Sequence, residues 1–276
     1  MDWSLKFINP ANRNKIKRSA LKIINFLRRL FSLLFFDLFE VVLKWRGIPN
    51  FISNYLQYQK IKTDANFNIS LKNIYPILTD RYHKAGTDSG HYFFMDIWAA
   101  QQIYDSKVKY HVDAASRIDG FVAHLLPFCK VDYVDLREMK SSLQNLIYIK
   151  GSILELPYSD NSVNSMSCLH VIEHIGLGRY GDKVEPLGHI KAMKELQRAL
   201  SKNGVLFVGV PVGSERLCFD AHRIFDPSTI VNGFSGLKLE EFSLIDDAAD
   251  KIIYNATFDM ARNCRYGCGL FKFVKN

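Results

Sequence analysis

From Lys109 onward, short apolar runs alternate with helical stretches, and this alternation constrains the fold more than any other feature of the 276-residue chain. Tyr110 to Ala114, Val131 to Leu136, Leu146 to Ile149 and Val163 to Leu169 read as four strands. Ile118 to Pro127 and Gly188 to Leu200 read as helices between them. Asn203-Gly204 punctuates the second helix, and Val205 to Val210 reads as a fifth strand. Asp226-Pro227 opens a further helix, and Leu237 to Ile245 and Tyr266 to Val274 complete the series. Strands that alternate with helices imply a mostly parallel, seven-stranded sheet with helices on both faces. The last two strands lack a convincing crossover helix, which leaves room for antiparallel pairing at one edge.

The rest of the chain reads as a helical N-terminal extension. Three segments follow: 1–47, a basic amphipathic helix; 48–108, a helical extension packing on the core; and 109–276, the α/β domain. Of a net charge of +8, +7 falls within the first 46 residues. The remaining 230 residues are almost neutral, which argues against nucleic acid as a partner. Lys15, Arg18, Lys22, Asn25, Arg29 and Ser32 trace a polar stripe on a helix over Ile16 to Leu43, and Gly47, Ile48 and Pro49 are expected to end it. Residues 14–46 therefore suit contact with a membrane surface, packing on the core or a second subunit, or targeting. The stretch His91 to Tyr104 places Phe93, Ile97 and Ala100 at helical spacing, a face that would cover the sheet. Five Cys without a C-x-x-C pair point to reduced thiols and a cytoplasmic location, extended by the helix to the inner face of a membrane.

In a sheet of this kind ligands bind beyond the carboxyl ends of the strands, so the residues just after each strand are the ones to examine. Asp113 ends the first strand, and the small residues Ala114, Ala115 and Ser116 lead into a helix whose N-terminus favours an anion. Asp135 ends the second strand, where a carboxylate can accept both hydroxyls of a ribose.

Three segments carry a family resemblance. Gly151 to Val163 (GSILELPYSDNSV) resembles the segment that holds the adenine in class I S-adenosylmethionine-dependent methyltransferases. Cys168 to His174 (CLHVIEH) resembles their motif after the fourth strand, and Ala199 to Leu206 (ALSKNGVL) the approach to the fifth. Beyond these, His111-Val112-Asp113 through Gly120-Phe121, His170 through Asp182, and Ala221-His222-Arg223 are similar to an uncharacterised bacterial family of methyltransferase-like proteins associated with surface-polysaccharide genes. The resemblance covers about Lys109 to Asn276 and implies a Rossmann-like fold with S-adenosylmethionine as cofactor. It implies a cofactor site made of Asp113, Ala115, Ser116, Arg117, Asp135, Leu136, Ser152, Ile153 and His170. This chain departs from the family pattern in three places. Ala115 and Arg117 stand where the family has glycines, and Ser152 stands where it usually has an acid facing the adenine. Ala115 fits that turn if its φ stays negative.

Candidate chemistry lies on the same rim. His174 and His222 are candidate general bases, with Glu173 beside them, and Arg179, Tyr180 and Arg223 are candidate substrate contacts. His170, Glu173 and His174 spell H-x-x-E-H, but His170 ends a strand, so the one-helix zinc geometry is not met and no metal is expected. Cys264 and Cys268 read as small buried hydrophobes. Gly176, Gly178 and Gly181 match G-x-G-x-x-G without a preceding strand and read as a flexible loop. The expected activity is methyl transfer to a small polar acceptor, a sugar or glycan precursor. The alternatives are a binding or assembly module that has lost catalysis, or a glycan-modifying transferase with a phosphorylated donor. A homo-oligomer is left open.

Overall fold

The computed structural model describes residues 38–61, 67, 69–84 and 86–276. The chain divides into two compact units, one ending at Thr87 and one spanning Asp88–Asn276. In the first, helix α1 (Leu38–Lys60) runs straight through Gly47, Ile48 and Pro49, where a helix end was expected. The reason lies in Gly47: a Cβ there would collide with the Leu78 carbonyl, so this glycine serves a close backbone approach and not a stop. The polar stripe from Lys15 to Ser32 lies outside the described residues. No helix among the described residues is long and apolar enough to cross a membrane.

The second unit begins with helix α2 (His91–Asp105) and therefore starts earlier than the expected boundary at 108. Seven strands form its sheet: β1 (Tyr110–Ala114), β2 (Lys130–Asp135), β3 (Leu146–Lys150), β4 (Val163–Leu169), β5 (Leu200–Val212), β8 (Leu237–Ile245) and β9 (Gly267–Lys275). Their order is β3-β2-β1-β4-β5-β9-β8. The first five are parallel, while β9 is antiparallel to both β5 and β8, which is the edge arrangement the missing crossover left open. The fold is thus the expected α/β, Rossmann-like sheet. β5 starts at Leu200 and not at Val205, because Asn203 takes a positive φ of 60° beside Gly204 and the pairing with β4 shifts register there. Asn and Gly tolerate that conformation, so the pair makes a bulge instead of a break. A short hairpin, β6 (Arg216–Cys218) and β7 (His222–Ile224), follows β5; its strands are too short to show a period of two.

Period-two alternation sends side chains to two cores. Leu206, Val208 and Val210 of β5 join Met166, Phe271 and Phe273 beneath α4 (Gly188–Ala199), α5 (Pro227–Gly233) and α6 (Phe258–Arg262). On the other face, Phe207, Val131, Tyr133 and Leu270 pack on α2 and on a π-turn, Ile118–Val122, that runs into α3 (Ala123–Leu125). The buried stripe of α2 is Met95, Trp98, Ala99 and Ile103, whereas the expected Phe93 and Ile97 are exposed. Both stripes have helical spacing in a helix that is apolar on most sides, so spacing alone could not choose between them.

Candidate active site

The chain order reverses between β1 and β4, each of which continues into a different half of the sheet, and a crevice opens above their carboxyl ends. A buried polar chain fixes that point. Ser167 Oγ donates to Asp113 Oδ2 at 2.5 Å. Asp113 also accepts the Ser116 hydroxyl at 2.6 Å and the Ser116 N–H at 2.9 Å. The Ser116 hydroxyl in turn accepts the Leu169 N–H at 3.0 Å, which ties the turn after β1 to the end of β4. Since Ser167 gives its one proton to Asp113, the His111 Nε2 that lies 2.8 Å from it must be the donor. His111 Nδ1 then accepts from Ser165 at 2.8 Å. Burial alone lowers the His111 pKa to about 3, and it pushes Asp113 up to about 6 against the bonds from Ser116 and Ser167.

Asp113 therefore braces the turn and does not line the crevice. Ala115 in that turn has φ 61°, opposite to the sign expected of it. An L-residue there costs about 1–2 kcal/mol, which the Asp113–Ser116 clamp holds in place. Arg117, in the second glycine position, turns back on Asp119 with bonds of 2.6 and 3.1 Å and lies over the Tyr92 ring.

The crevice has two chambers. The first, about 260 Å³, is lined by Tyr92, Ala115 to Arg117, Val134 to Arg137, Gly151, Ile153 and the residues after β4. Of the residues that the sequence proposes for a cofactor, Ala115, Ser116, Arg117, Asp135, Leu136, Ile153 and His170 line it, and Ser152 does not. The Ser152 hydroxyl instead accepts the Leu154 N–H at 3.1 Å. Asp135 Oδ1 accepts the Arg137 N–H at 2.7 Å and Nε at 3.0 Å. Its Oδ2 accepts Arg137 Nη2 at 2.7 Å and the Tyr133 hydroxyl at 2.9 Å. Burial pushes this carboxyl up, but the bonds from Arg137 and Tyr133 outweigh it and hold it below its ordinary value. Arg137 also lines this chamber; it falls in the stretch after the second strand that the sequence marks for examination, Asp135 to Arg137, but no role was expected of it.

The second chamber, about 960 Å³, shares Tyr92, His170, His174 and Tyr180 with the first and is also lined by His91, Glu173, Arg179, His222 and Tyr266. His174 Nδ1 donates to the Ala221 carbonyl at 2.7 Å, which leaves its Nε2 as the basic nitrogen. Burial keeps its pKa below the ordinary value despite Glu173, so the ring is neutral near pH 7. His222 lies 6.4 Å from it, ring to ring. Glu173 is 1% exposed, and its Oε1 lies 2.7 Å from His170 Nδ1. Burial pulls the His170 pKa down, but Cys268 and Glu173 raise it well above the ordinary value. Arg179 donates to the Ala221 carbonyl at 3.0 Å and rests over Tyr180. Arg223, expected as an anion clamp, lines neither chamber. Its guanidinium donates to the carbonyls of Glu173, Ile175 and Pro186 and so holds the loop after β4. That loop contains Gly176, Gly178 and Gly181, all at positive φ.

A family model described as "Caenorhabditis protein of unknown function, DUF268" matches residues 134–261, a stretch that includes Asp135, His170 to His174 and His222. No curated protein matches the chain. Among solved structures, the chain is similar to the N-methyltransferase NodS from Bradyrhizobium japonicum WM9 in complex with S-adenosylhomocysteine, at 12% identity and a TM-score of 0.47, over 65% of this chain and 85% of that one. It is similar to the 1,6-didemethyltoxoflavin-N1-methyltransferase of Burkholderia thailandensis at 12% identity and a TM-score of 0.49, over 66% and 78%. It is also similar to the [4+2]-cyclase SpnF at 11% identity and a TM-score of 0.48, over 65% and 79%.

Proposed function

We propose that the first chamber binds S-adenosylmethionine and that the protein transfers its methyl group to a small polar acceptor held in the second. The observation that carries this reading is the position of the first chamber. It lies at the reversal point of the sheet, with Asp135 at the end of β2 and Gly151 and Ile153 after β3 on its wall. In this reading the ribose hydroxyls replace Arg137 on Asp135, and Ile153 packs on the adenine. Arg117 turns from Asp119 to the carboxylate of the cofactor.

Methyl transfer is an in-line displacement at carbon, so holding donor and acceptor in line supplies most of the rate. Of the two candidate bases, His174 is the better placed, because its tautomer is fixed and its Nε2 carries no proton. It takes the acceptor proton, with Glu173 Oε1 at 3.7 Å to stabilise the imidazolium that forms. Arg179 and Tyr180, on the second chamber's wall, suit a hydroxylated, anionic acceptor such as a sugar phosphate or glycan precursor. A basic segment at residues 14–46 would keep such chemistry at a membrane surface.

The test is calorimetric titration with S-adenosylmethionine and with its demethylated product. Micromolar binding of both, weakened at least tenfold by Asp135→Ala, supports the reading. Absence of heat with either ligand, together with heat from a nucleotide sugar, overturns it in favour of a transferase with a phosphorylated donor.

A further inference from the structure

His91, His170 and Cys268 come from three separate elements: the first residue of α2, the turn after β4, and β9. Their nearest ligand atoms all lie within 4.8 Å of one another. Nothing local in the sequence links them, and the H-x-x-E-H spelling pairs His170 with the wrong histidine. We propose that these three side chains form a binding site for a borderline-soft divalent cation, with Zn²⁺ as the natural occupant, at the floor of the second chamber.

Four features of the site support this. Two imidazoles and a thiolate are a donor set that suits Zn²⁺ and disfavours Mg²⁺ or Ca²⁺. His170 Nδ1 is held by Glu173 Oε1 at 2.7 Å, which leaves Nε2 for the metal; a carboxylate on the far nitrogen is the usual support of a metal-bound histidine. The His91 ring is stacked on the Tyr266 ring, with centroids 4.9 Å apart, so both imidazoles are oriented from outside the cluster. Finally, Glu173 Oε2 is buried without a partner. A carboxylate at 1% exposure with one oxygen unpaired is costly, and a dication on the neighbouring histidine offsets that charge.

The geometry needs little adjustment. Tetrahedral Zn²⁺ with bonds of about 2.0–2.3 Å places its donors about 3.5 Å apart, so separations of up to 4.8 Å close by about 1.3 Å at most. The chamber touches His91 and His170, which leaves one coordination position open to an oxygen ligand. Three protein ligands and an open fourth position are the pattern of a catalytic zinc site, whereas a structural site is closed. This inference stands apart from cofactor binding and does not depend on it.

The experiment is a Co²⁺ titration of the full chain, purified without a histidine tag and stripped by chelation, followed by absorbance and by displacement with Zn²⁺. The expected result is one equivalent bound, with tetrahedral d–d bands and a thiolate-to-cobalt charge-transfer band, and displacement by Zn²⁺. Cys268→Ser is expected to abolish the charge-transfer band. Should that core substitution unfold the chain, His91→Gln at the half-buried position decides, with an expected loss of at least tenfold in Co²⁺ affinity. Failure to bind one equivalent, a spectrum without the thiolate band, a band that persists in Cys268→Ser, or unchanged affinity in His91→Gln overturns the site.

Discussion

Replacing His111 by Gln isolates the buried chain that sets the turn after β1. The ring is 0% exposed and both its nitrogens are bonded, to Ser165 and Ser167, in a form that requires the imidazole to be neutral. Its pKa falls from the ordinary 6.5 to about 3. A histidine whose pKa is lower in the folded chain binds protons first in the unfolded one. The stability it contributes is therefore complete above 6.5 and is lost as pH falls towards 3. Between about pH 7.5 and about pH 4.5 this one group should remove about 2.7 kcal/mol, at roughly 1.4 kcal/mol per pH unit below its unfolded pKa. Asp113 and Asp96, raised to about 6 and about 7 by burial, act in the opposite sense, since they lose stability as pH rises from 3.8. They are present in both proteins and largely cancel in the comparison. Gln can span the two serine hydroxyls but does not titrate. Urea unfolding at the two pH values should show the wild type more stable than His111→Gln at the higher one, with that advantage shrinking by about 2–3 kcal/mol at the lower. An advantage that stays constant between the two pH values would refute the assignment of a buried neutral ring.

Other substitutions test other parts of the site. Ala115→Gly removes the positive-φ strain and should raise stability by about 0.5–1 kcal/mol, the strain relief less the entropy glycine gains when unfolded, whereas a β-branched Val should lower it; thermal melts decide. Arg137→Ala frees Asp135 of its two side-chain bonds and should tighten S-adenosylmethionine binding up to about tenfold; weakened binding would mean that Arg137 itself holds the ligand. Gly176→Ala puts a Cβ onto the Glu185 carbonyl at a φ of 78° and should cost more than about 2 kcal/mol in urea unfolding, with the Arg179 loop displaced. Asp96 has one carboxylate oxygen without a partner, so Asp96→Asn should stabilise the protein at pH 8 relative to pH 5, which paired urea curves would show.

The strands β1 to β4 were legible within a residue or two because their apolar runs are bounded by turn residues. Asp135, Ile153 and His170 were legible as lining the crevice because each lies at or just beyond the carboxyl end of a strand. Three things were not. The φ of Ala115 depends on the clamp from Asp113 to Ser116, whose strength comes from Ser167, 51 positions beyond Ser116. The role of Arg223 depends on three carbonyls that fold back over it. The helix end expected at Pro49 failed because Gly47 answers to a neighbour 31 positions away. In each case local chemistry offered two outcomes, and a distant group chose between them: a side-chain hydroxyl at Ala115, backbone carbonyls at Arg223 and Gly47.

The most direct test of the central claim is a crystal structure of the protein grown with saturating S-adenosylhomocysteine. The expected result is the adenosine in the first chamber, with ribose hydroxyls on Asp135, Arg137 swung outward, and the sulfur directed towards His174. A chamber that stays empty, or a ligand bound elsewhere on the chain, would contradict it.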